Sequence, residues 1–89
     1  MKPTGEFISE RISMSNASAG QWLKIFALPE GSLRSQFIRF GIYEGERVQC
    51  LERLPGGTIV IQKHRQQITI GSQLARQILV MILSSPEGL

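Results

Sequence analysis

No apolar run in this chain is longer than the six residues from Ile78 to Leu83, and glycine, proline or charged residues interrupt the sequence at short intervals. That spacing is far from the ~20 consecutive apolar residues a membrane helix needs. It favours short strands joined by tight turns. With 89 residues there is room for one core and no second. At this size the margin is thin, so nearly every apolar residue in a strand or helix is expected to be structural.

The strand pattern can be followed along the chain. Trp22 to Leu28 alternates, with Leu23, Ile25 and Ala27 on one face and Trp22, Lys24 and Phe26 on the other, and Pro29 closes it. Both faces carry apolar groups, so Trp22 and Phe26 are expected to pack under a helix or the N-terminal segment. Arg47 to Leu54 alternates with Val48, Cys50 and Leu54 inward, and Pro55-Gly56-Gly57 reverses the chain into the β-branched run Thr58 to Gln62. After a turn at Lys63 to Gln66 come the strand Gln67 to Ile70, helical turns at Ser72 to Gln77, and a closing strand Leu79 to Leu83.

Helix signals are fewer. Met14 to Gly20 reads as a short helical turn, with Ser15 able to cap it and Gly20 able to leave it at positive φ. Ser32 to Phe40 is the one true helix: Ser32 is placed as N-cap, Leu33, Phe37 and Phe40 recur at i, i+4 and i+7, and Gly41-Ile42 has the form of a left-handed C-terminal cap. The expectation is a mainly β fold, a small barrel of about five strands with one inserted helix and one short helical turn. Residues 1–11 are expected to form a flexible extension, 12–83 the domain, and 84–89 a frayed end.

The segment Phe37-Ile38-Arg39-Phe40-Gly41-Ile42-Tyr43-Glu44-Gly45-Glu46-Arg47-Val48 resembles the signature region of FeoA domains, the ferrous-iron transport protein A family. Met14 to Gly20 is similar to that family's opening turn. Gln67 to Ile70, Leu74-Ala75 and Ile78 to Val80 are similar to its last strands and the helical turn between them. The resemblance runs in order from about residue 12 to 83. It implies an SH3-like barrel and a cytoplasmic accessory role in bacterial ferrous-iron uptake, a process that handles a transition metal ion. The implied partner is the FeoB transporter, reached at its cytoplasmic GTPase domain, which would bring the protein to the inner face of the membrane.

The residue inventory argues against catalysis. The chain has no Asp, one His and one Cys, so neither a Ser-His-Asp nor a Cys-His-Asp set can be assembled. No glycine-rich phosphate loop precedes a helix, because Gly56-Gly57 lacks the Lys-Ser/Thr pair. A ferrous site ordinarily takes two histidines and a carboxylate, so His64 is expected to be a solvated turn residue and Cys50 a core residue, with no metal ligands or cofactor assigned. One cysteine excludes an intrachain disulfide, and the N-terminus lacks the apolar core of a secretion signal, which together lead to a cytoplasmic expectation.

Net charge is +3 and the basic residues are scattered, so no nucleic acid is expected, although an SH3-like nucleic-acid binder is the rival of a different class. An iron-responsive regulatory module acting in trans is the third reading. Arg34 and Arg39 serve either as solubilising charges or, with Ile38 and Tyr43, as a partner-binding surface. Those four residues are the candidate site.

Overall fold

The chain, in a computed structural model, is described over residues 8–83. Its elements are β1 (Ile8–Ser13), a 3-10 turn at Met14–Asn16, β2 (Trp22–Ala27), α1 (Ser32–Arg39), β3 (Arg47–Arg53), β4 (Ile59–Lys63), β5 (Gln66–Ile70), α2 (Ser72–Gln77) and β6 (Leu79–Leu83). The six strands form one antiparallel sheet in the order β1-β6-β2-β3-β4-β5. It is the mainly β, SH3-like architecture expected, with one strand more than anticipated.

The additional strand is β1, which overlaps the expected extension from Ile8 onward. Its pairing with β6 carries an irregularity between Ile8 and Arg11, and in sequence Glu10 stands between Ile8 and Ile12 where an alternating strand would carry an apolar residue. Its partner, β6, lies at the other end of the domain, with Ile12 opposite Val80 and Ser13 opposite Leu79. The expected extension before Ile8 and the expected frayed end at 84–89 lie outside the described residues.

β1 and β5 are the sheet's two edges and do not pair with each other, so the sheet stays open among the described residues. α2 draws the edges together. It follows β5 after Gly71 alone, and the Ser13 hydroxyl at the end of β1 donates to the carbonyls of Ala75 and Arg76, 3.1 Å from each. A six-residue helix is only about 9 Å long, so both edges must curl toward it. The concave side holds one apolar cluster containing Met14, Leu23, Ile25, Val48, Cys50, Ile59, Ile61, Ile70, Ile78 and Val80.

Four local expectations shift. The 3-10 turn is capped by Ser13, whose Oγ accepts the Ser15 amide at 3.3 Å, so Ser15 lies inside the turn and is not its cap. Gly31 (φ 84°) and not Ser32 is the N-cap of α1, where the chain must turn through a backbone conformation that only glycine adopts cheaply. A bulge between Cys50 and Glu52 breaks the alternation of β3, which ends at Arg53, and Leu54 is only half-buried. α1 ends at Arg39, and Phe40, expected in the core, is 54% exposed.

The helix cap explains that last change. The Gly41 amide bonds the Ile38 carbonyl at 2.9 Å, and the Ile42 amide bonds the Phe37 carbonyl at 2.9 Å, which is the Schellman arrangement with Gly41 at φ 84°. The reversal carries fully buried Ile42 back into the core beside Phe37 and leaves Phe40 outside.

Candidate functional site

α1 projects from the sheet between β2 and β3 and buries only one residue, Phe37. The turn that follows is held more firmly. The Gly45 amide bonds the Ile25 carbonyl at 2.7 Å and the Ile25 amide bonds the Glu46 carbonyl at 2.8 Å, fixing Tyr43 to Glu46 against β2. Glu46 also pairs with Lys63 at the end of β4, 3.7 Å away. The Lys63 ammonium lies close under Gly41, where a Cβ would meet it at 3.3 Å, and so places a cation at the carbonyl end of α1.

On this support stand the exposed apolar groups Ile38 (40%), Phe40 (54%) and Tyr43 (46%). Arg39 lies between the first two in sequence and has no ion pair among the described residues. A depression of about 280 Å³ is bordered by Gln36, Arg39 and Phe40. Ile38 and Arg39 thus lie in the last turn of α1 and Tyr43 in the turn that follows, and Phe40, which shares the depression with Arg39, is exposed there too. Phe40 escaped the sequence reading because its i+7 spacing from Leu33 matched a core face. The signal that could have exposed it is Gly41, which ends the helix there.

Arg34 is used differently. Its guanidinium forms a two-pronged pair with Glu44, Nη1 to Oε2 at 3.0 Å and Nη2 to Oε1 at 3.1 Å. Residues five apart on a helix point about 140° from each other, so Arg34 and Arg39 do not form one basic patch. The hydrogen bond from Arg34, then that from the Leu28 amide, holds the Glu44 carboxyl below the ordinary carboxylate range.

The remaining candidates separate. Cys50 is fully buried in β3, and burial pushes its thiol upward. His64 stands exposed in the two-residue turn between β4 and β5. Among the described residues no three His, Cys, Asp or Glu side chains gather where they could share a metal ion. Trp22 and Phe26 on the outer face of β2 are 36% and 38% exposed, and the Arg11 guanidinium lies 4.3 Å from the centre of the Phe26 ring. The N-terminal segment thus covers Phe26 in part, through a cation and not an apolar residue. Among the described residues no helix is long and apolar enough to cross a membrane.

An open six-stranded sheet curled over one core, with a helix standing off between β2 and β3, defines a small SH3-like domain. The chain belongs to the FeoA domain family, whose model matches residues 12–82. Among solved structures it is similar to the crystal structure of an iron uptake regulatory protein (FeoA), at 25% identity and a TM-score of 0.75, over 83% of this chain and 100% of that one. It also shares its fold with the NMR structure of an FeoA-like protein from Clostridium acetobutylicum, at 19% identity and a TM-score of 0.73, over 92% of this chain and 98% of that one. No curated protein matches it.

Proposed function

We propose that the protein is a non-enzymatic accessory component of bacterial ferrous-iron uptake. It acts in the cytoplasm by contact with the FeoB transporter at its GTPase domain, and is brought to the inner face of the membrane by that contact. The observation that carries this reading is the depression shared by Arg39 and Phe40 at a rigidly capped helix end, with Ile38 and Tyr43 also exposed on that end and the turn after it. Apolar and aromatic side chains around an unpaired arginine are the composition of a contact centre between proteins, and a preformed backbone lowers the ordering cost of binding. Family membership supplies the iron context. On this reading the domain holds no iron tightly itself, since exposed His64 and buried Cys50 offer no preorganised ligand set.

The test is capture of the cytoplasmic part of the cognate transporter by the wild-type protein and by Arg39→Glu/Phe40→Ala, with circular dichroism as the folding control. Capture should fall sharply in the folded double variant. Undiminished capture would remove α1 from the contact. Arg34→Glu is unsuitable for this purpose, because it would set two carboxylates side by side at Glu44 and disturb the turn.

A regulatory role in trans is the second reading, favoured by the description of one similar structure as an iron uptake regulatory protein. Nucleic-acid binding has less support, since Arg11 already covers the Phe26 ring that a base would stack on.

A further inference from the structure

A cleft of about 540 Å³ opens on another part of the molecule, between the end of the β3–β4 hairpin, the 3-10 turn and α2. Its volume is within the range of small-molecule sites, roughly 300–1,000 Å³. Arg53, the last residue of β3, and Arg76, in the last turn of α2, both line it, and no carboxylate does. Neither arginine is in an ion pair among the described residues. Two unpaired cations facing one concavity focus a positive potential there.

The walls are built to hold that arrangement. The Ser13 hydroxyl fixes the backbone of α2 at Ala75 and Arg76. Gly57, at φ 98°, lets the hairpin end approach α2 so closely that a Cβ would stand 3.3 Å from the Ser72 Cβ. Gly56 leaves the rim without a side chain. Ser72 and Asn16 line the same cleft, and their hydroxyl and amide groups are neutral donors.

We propose that this cleft binds a phosphate-type oxyanion, gripped by the guanidinium forks of Arg53 and Arg76 and oriented by Ser72 and Asn16. Each fork matches the spacing of two phosphate oxygens, and a dianion balances both charges, which a single carboxylate would not. Leu54 and Pro55 are the apolar part of a lining that is otherwise glycine, polar or cationic. This site shares no residue with the α1 surface and stands whether or not that surface meets a transporter.

The experiment is amide NMR titration of the full chain with inorganic phosphate, pyrophosphate and glycerol phosphate, each against sodium chloride at equal ionic strength. Saturable shifts confined to residues 15–16, 53–57 and 72–76 are expected. Arg53→Gln and Arg76→Gln should each weaken binding by about tenfold, as expected for loss of a charge-assisted pair, with Arg39→Gln binding as wild type does. Tighter binding of inorganic phosphate or pyrophosphate than of glycerol phosphate would identify free phosphate as the source, and the reverse order a phosphate ester. Shifts reproduced by chloride alone, no saturation at millimolar concentration, or unchanged affinity in the folded Arg53→Gln/Arg76→Gln protein would overturn the proposal.

Discussion

Arg34 and Glu44 face each other across the gap between α1 and its following turn, joined by two parallel hydrogen bonds of 3.0 and 3.1 Å. Glu44 Oε2 also accepts the Leu28 amide at 3.2 Å, so one carboxylate ties the helix to the end of β2. Because α1 buries little else than Phe37, this exposed tie adds to the C-terminal cap in holding the helix.

It should also make the helix sensitive to acid. The pKa of Glu44 is lowered by folding, so its contribution is present above the ordinary value of 4.5 and is lost as pH falls through the lowered one. Hydrogen exchange at the Leu28 amide, corrected for intrinsic rate, should lose protection as pH falls below that value. Glu44→Gln should lack this transition, and an identical acid profile in that variant would defeat the assignment.

Phe37 and Phe40 are three residues apart and should behave oppositely. Phe37→Ala should cost about 3–5 kcal/mol in denaturant unfolding, a large part of the stability of so small a domain. Phe40→Ala should change stability by no more than about 0.5 kcal/mol. Equal losses would mean that the cap does not expel Phe40 as described.

Burial pushes the Cys50 thiol upward, with a fixed sign for its pH dependence. The unfolded chain gives up its thiol proton first, so the contribution is complete below the unfolded pKa of about 8.5 and declines as pH rises toward the folded value. Stability of the wild type should therefore fall in this alkaline range more steeply than that of Cys50→Ala. Parallel profiles would contradict a buried thiol.

His64 occupies a left-handed position, φ 56°, in the turn joining Lys63 to Gln66. A side chain there costs about 1–2 kcal/mol, offset in part by the greater freedom of glycine in the unfolded chain. His64→Gly should raise the melting temperature, and the β-branched His64→Val should lower it. A lower melting temperature for His64→Gly would count against the turn geometry.

What the sequence reveals follows the range of each interaction. The Gly41-Ile42 cap, the boundaries of α2 and the inward set Leu23, Ile25, Val48 and Cys50 are encoded within a few residues, and are legible for that reason. β1 is not, because Glu10 interrupts the apolar series between Ile8 and Ile12 and its partner β6 is near the other end of the domain. The Arg34–Glu44 tie spans ten positions with a cap between them, so a reading of the helix alone leaves both charges in solvent. The cleft depends on Arg53 and Arg76 meeting from separate elements, which only the curl of the sheet brings about.

The place of β6 bears on how the protein is made. β6 inserts between β1 and β2, both synthesised before it, so a nascent chain carries an open slot with two unpaired edges until Leu83 has left the ribosome. During that interval, β6 of a neighbouring finished molecule could fill the slot as well as the chain's own, which makes strand exchange between copies the characteristic misfolding hazard of this topology.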